Sequence, residues 1–177
     1  MTVFHAVLLF VALQRGGELL LARANTASLR RQGAVEIDRG GYKYIVLLHA
    51  AWLAALFMTV PSATPPNWLL LVLFGLLQVG RIWVVASLGR RWTTRLIVLR
   101  SAPLVARGPY RWLRHPNYLI VAAEMAILPL VFAAAAIAVL FSACNGWLLW
   151  RRIRLEDAAL GHDSYHIRET LPRRNLL

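Results

Sequence analysis

Residues 108–119 read GPYRWLRHPNYL, and they bring Tyr110, Arg111, Trp112, Arg114, His115 and Tyr118 into one short stretch. Pro116 has no backbone donor and suits the first turn of a helix. A helix start also presents free N–H groups that attract anions. Two readings follow from these residue types. In one, Tyr110, Trp112 and Tyr118 form an aromatic belt at a membrane surface, with Arg114 on lipid phosphate. In the other, the density of His, Arg and Tyr marks a binding site. Further along, RIRLEDAALGHDSY supplies the carboxylates Glu156 and Asp157. An anion-binding helix start, aromatic faces and a carboxylate pair together suit a zwitterionic, cationic ligand that carries an aromatic base.

The elements that must position these groups are membrane-length. The chain has 177 residues, 59% of them hydrophobic, with mean hydropathy +0.55 and formal net charge +12. Its single cysteine, Cys144, excludes an intrachain disulfide framework. A basic balance can signal nucleic acid, but here arginines flank long apolar runs, so nucleic acid is not an expected partner. A hydrocarbon core of about 30 Å takes about 20 apolar residues as helix. Runs 2–22, 44–60 and 67–89 meet that requirement, and 117–150 is divided near Pro129 into 117–130 and 132–150. The expected fold is therefore all-α and integral to the membrane, with about five transmembrane helices. A loop and a C-terminal helix follow on the arginine-rich side. The first run lacks a basic leader segment and is expected to be retained.

Every lysine and arginine outside these runs falls in the connections after the first and third spans or in the tail. The positive-inside rule makes that side cytoplasmic and the N-terminus external. After Trp150 an amphipathic helix leaves the membrane, with a break expected at Gly161 and an end at Pro172. The whole is read as one unit: three spans in 1–89, a cofactor-binding half in 90–172, and a tail from 173 to 177.

Charged groups inside the spans are costly and are usually functional. Arg15 and Glu18, three apart, can pair on one helix face. With Asn25 they form a polar stripe on the first span. Gln78 and Arg81 share a face of the third span, and Glu124 lies two turns into the fourth. Arg81 and Glu124 either pair across helices or face a polar cavity, so all six are candidate substrate contacts. His162 and His166 have the spacing of a zinc pair but lack a third ligand, and no metal site is expected.

The run GPYRWLRHPNY, an apolar hairpin and then RIRLEDAALGHDSY resemble the C-terminal signature of the isoprenylcysteine carboxyl methyltransferase family. That family is also similar to membrane phospholipid methyltransferases. The N-terminal half is similar to a bacterial branch associated with methylating lipophilic polyketides such as alkylpyrones and alkylresorcinols. The resemblance implies S-adenosylmethionine bound at the cytoplasmic face of a bacterial inner membrane, and a lipophilic substrate arriving from the bilayer lipids. By position, Tyr110, His115, Pro116 and Tyr118 would line the cofactor pocket, with Glu156, Asp157 and Tyr165 closing it. Asp157 departs from the family pattern, which has glutamate there. Arg114 or Arg154 would hold a carboxylate, and His115 is the nearest base for an enol or phenol acceptor. Two alternatives stand beside this O-methyltransferase reading. One is a phospholipid N-methyltransferase, and the other is a non-catalytic membrane scaffold that binds lipid.

Overall fold

The computed structural model describes residues 1–99 and 105–170, with side chains through residue 159. Among these, α1 spans Val3–Arg31, α2 Tyr42–Thr59, α3 Trp68–Leu88, α4 Pro116–Val131 and α5 Ala135–Thr170. Three of them, α1, α2 and α3, are long and apolar enough to cross a membrane. The fourth, α4, is a 16-residue apolar helix, about 24 Å long by its rise. It turns back into α5 through residues 132–134, where Ala134 N–H donates to the Pro129 carbonyl at 2.9 Å.

Local chemistry sets most helix ends. Asn67 caps α3 by accepting from Leu70 N–H at 3.2 Å. Pro116 occupies the first turn of α4, where no donor is needed. The first helix continues well past the expected end at residue 22. The sequence LLLARANTASLRR contains no glycine or proline to stop it. It ends in a Schellman motif: Gly33, at φ +88, donates to the Arg30 carbonyl, and Ala34 donates to Leu29. The break expected at Gly161 is absent, since α5 runs unbroken to Thr170. One helix-interior glycine costs only about 1 kcal/mol, and the Ala158–Ala159–Leu160 run before it favours helix. A further departure from an all-helical chain is small. Val35–Glu36 (β1) and Ile97–Val98 (β2) pair antiparallel, tying the end of α1 to the segment after α3.

The bundle is layered along its axis. One end holds the apolar core: Phe4, Leu8 and Val11 of α1, Trp52 and Leu56 of α2, Phe74 of α3, and Met125 and Leu128 of α4. The opposite end carries the arginines. Around the outside, Leu13, Leu47, Leu69, Leu76, Val79, Ile82, Val139 and Leu140 are exposed. A water-soluble protein does not display such a continuous apolar surface, whereas lipid covers it at no cost.

Candidate functional site

The site forms where the start of α4 meets the middle of α5. A single 3-10 turn, Gly108–Arg111, precedes it and is docked on the end of α3. Arg107 Nε donates to the Ser87 carbonyl at 2.6 Å, placing a cation on the negative end of α3. Gly108 sits at φ +58, and a Cβ there would lie 2.0 Å from Ser87 Oγ. Glycine is required on both counts. Trp112 packs against Trp83 of α3, with centroids 6.1 Å apart.

From that anchored turn, His115 becomes the residue just before α4, and its ring stacks on Tyr118 at 5.3 Å and 15°. The Tyr118 hydroxyl donates to Glu156 Oε2 at 2.6 Å and accepts from Arg152 Nε at 3.0 Å. His115 Nδ1 lies 3.7 Å from Glu156, and its Nε2 lies 3.6 Å from Asp157. Arg114, largely exposed, pairs with Asp157 at 3.0 Å. Tyr110 is half-buried close to Glu156. Burial, helped by that carboxylate, pushes its phenol well above the usual tyrosine range, so it remains a hydroxyl donor. Tyr110, His115, Tyr118, Glu156 and Asp157 thus stand together, with Pro116 buried beneath them. Tyr165, His162 and His166 carry side chains outside those described.

Two comparisons bear on this arrangement. The model of the isoprenylcysteine carboxyl methyltransferase (ICMT) family matches residues 68–162, which include α3, α4 and the site face of α5. The chain is also 36% identical over 162 residues to the uncharacterized protein YpbQ of Bacillus subtilis, covering 89% of this chain and 96% of that protein. The chain belongs to the isoprenylcysteine carboxyl methyltransferase family. No solved structure gives a significant match. Family membership makes this a membrane methyltransferase, and the His115–Tyr118–Glu156 cluster lies inside the matched region.

Arg154 does not join the cluster. It is exposed and lies over the Trp150 ring at 5.1 Å. Its place is taken by Arg152, which is buried. Two positions along a helix rotate a side chain by about 200°, so Arg152 and Arg154 cannot face the same way. The sequence signal for Arg152 was present. Asn145, Leu149, Arg152 and Glu156 recur at spacings of four, three and four, and the first three are buried.

Deeper in the bundle a second cluster centres on Glu124. Arg81 holds it bidentately, with Nε donating to Oε1 at 2.8 Å and Nη2 donating to Oε2. Gln78 Nε2 donates to Oε1 at 2.9 Å, and Arg15 Nη2 to Oε2 at 2.5 Å. Arg15 also bonds Glu18 at 2.7 Å, and Arg81 reaches Glu18 at 3.4 Å. Two cations and two anions therefore close on one another. Arg15 Nε and Gln78 Oε1 have no hydrogen-bond partner among the described residues. Neither has Asn145 Nδ2, on α5 at a similar depth. Asn25 stands apart from this stripe: its Nδ2 donates to the Trp92 and Gly89 carbonyls at 2.7 and 3.2 Å. It holds the turn that leaves α3. Among the described residues, no three His, Cys, Asp or Glu side chains gather as a metal site.

Proposed function

We propose that the chain is an S-adenosylmethionine-dependent O-methyltransferase whose acceptor is a lipophilic carboxylic acid, enol or phenol drawn from the bilayer. Supporting it is the cluster at the start of α4, where unsatisfied buried atoms meet an aromatic stack and a carboxylate. His115 Nε2 and Asn117 Oδ1 are buried and have no hydrogen-bond partner among the described residues. Glu156 is partly exposed, already oriented by Tyr118, and free to accept from a further donor. This donor set suits a ligand with an ammonium group, sugar hydroxyls and an adenine ring. Glu156 would hold the hydroxyls or the ammonium, while Tyr110 and Tyr118 would offer faces and hydroxyls. Arg152 and Arg114 would answer a carboxylate. When bound, the cofactor supplies an electrophilic sulfonium methyl group.

The protein's share of the chemistry is then positioning and exclusion of water. A carboxylate acceptor needs no base. An enol or phenol acceptor would give its proton to His115, whose Nε2 is available. Arg15 Nε, Gln78 Oε1 and Asn145 Nδ2, deeper in the bundle, would meet a polar group on the acceptor. The arginine-rich side, with the site and the C-terminus, is cytoplasmic in this reading, and α4 and the first part of α5 complete five crossings.

Calorimetry with S-adenosylhomocysteine on detergent-solubilised protein tests the cofactor site. Binding by the wild type is expected, and His115→Ala and Glu156→Ala should each weaken it about tenfold. Equal affinity in both variants rules out the proposed pocket. Incubation with labelled cofactor and a panel of lipophilic acids and phenols, read by mass spectrometry, then identifies the acceptor class.

A further inference from the structure

Where α1 emerges from the apolar surface, Arg30, Ala34, Val35, Glu36, Arg39 and Arg95 line an open cleft of about 500 Å³. Its chemistry is unlike that of the methyl-transfer site. The Glu36 side chain is buried and bonded by Arg30 and, at 2.7 Å, by Arg95. Burial pushes the Glu36 carboxyl up, but the two guanidinium groups outweigh it and hold the group below its ordinary value. Arg39 also lines the cleft and makes no ion pair among the described residues. Three guanidinium groups against one carboxylate leave two positive charges facing a space large enough for a phosphate and its substituent. Arg95 is braced from behind, lying over the Tyr42 ring at 4.3 Å.

The position fits an anion at a membrane surface. Leu20 and Leu21 are still exposed as lipid-facing residues. Arg30 follows about 14 Å further along the α1 axis, on the water side of the hydrocarbon. We propose that this cleft binds a phosphate-class anion through Arg30, Arg39 and Arg95, the phosphate belonging either to a lipid headgroup or to a soluble species. Planar guanidinium forks match phosphate oxygens in pairs, and a compact ammonium would not. Glu36 acts as an internal counter-anion that competes with the ligand for Arg30 and Arg95. The segment is also tied to the methyl-transfer site. Asp38, two residues on, bonds Arg151 at 3.2 and 3.3 Å, and Arg151 precedes Arg152 in α5.

The test uses the full chain in nanodiscs of phosphatidylcholine, with and without phosphatidylglycerol, and with inorganic phosphate titrated into the phosphatidylcholine discs. Retained lipid is measured by native mass spectrometry and the unfolding midpoint by a thermal scan. Selective retention of phosphatidylglycerol with a raised midpoint supports a headgroup ligand. A midpoint raised by inorganic phosphate in neutral discs supports a soluble one. In the arm that responds, Arg39→Gln should weaken binding about fivefold, the worth of one interfacial cation, without breaking an internal pair. Glu36→Gln should strengthen it by removing the competitor. No response to either anion, or a response that Arg39→Gln leaves unchanged, overturns the proposal.

Discussion

The two Arg–Glu clusters on α4 lie about 9 Å apart along the helix, around Glu124 and around Tyr118–Glu156, and they treat buried charge in opposite ways. Around Glu124 each guanidinium meets a carboxylate and each carboxylate meets a guanidinium, so the charges balance, with only Arg15 Nε and Gln78 Oε1 left open among the described residues. Around Tyr118 the groups touch only in part. Arg152 and Glu156 are bridged by one phenol, and His115 is held by stacking beyond hydrogen-bond distance of either acid. A closed network is costly to break, because removing any one member strands a charge in a medium of low polarity. An open one leaves donors and acceptors for a guest. The same residue types therefore serve mainly as scaffold in one place and as the proposed site in the other, and the difference is whether their charges are already paired.

Removing one member of each cluster should separate them most sharply. Glu124→Ala is expected to destabilise the folded protein by about 3–5 kcal/mol, because Arg15 and Arg81 are left with only Glu18 between them. Denaturant unfolding in detergent measures this, and a loss below about 1 kcal/mol would remove the distinction. Gly108→Ala comes next. A Cβ against Ser87 at a left-handed backbone position should cost about 1–3 kcal/mol and displace the turn that carries Tyr110. A melting curve and a binding isotherm should both shift. In the open cluster, Tyr118→Phe keeps the ring under His115 but removes the hydroxyl between Arg152 and Glu156. Its expected signature is S-adenosylhomocysteine affinity about fivefold weaker, with a melting midpoint that falls less than in Glu124→Ala. Arg114→Gln should do least, under about 1 kcal/mol in stability, since that pair lies in solvent. A large stability effect there would show that the rim of the site is structural after all.

How much of this contrast the sequence carried depends on the type of information. Span-length apolar runs and the one-sided arginines gave the helical membrane fold, because the hydrocarbon core filters composition directly. The pairing of Arg15 with Glu18 followed from helical spacing alone. The pairing of Arg81 with Glu124 is one of two readings the sequence leaves open, and the structure has it; that Arg15 joins them was not legible, since residues on three separate helices meet only once packing fixes their rotation. The same limit explains Arg152 and Arg154: the family pattern marks an arginine-rich stretch, but only the buried stripe tells which arginine faces Tyr118. Helical spacing groups Asn25 with Arg15 and Glu18 as one stripe at the inner end of the first span. Seven positions further along α1 is about 10 Å further down the axis, which brings it to the Gly89 and Trp92 carbonyls instead.

The uninterrupted course of α5 has a consequence for how this protein responds to its lipid. Asn145 and Glu156 hang on one rod about 16 Å apart, with no hinge between them. Bilayer thickness therefore cannot change their spacing, only the tilt of the rod as a whole. Thicker or thinner membranes would raise or lower the site relative to the surface where the proposed lipophilic acceptor would lie. Turnover in bilayers of graded acyl length is expected to pass through an optimum while cofactor affinity stays level.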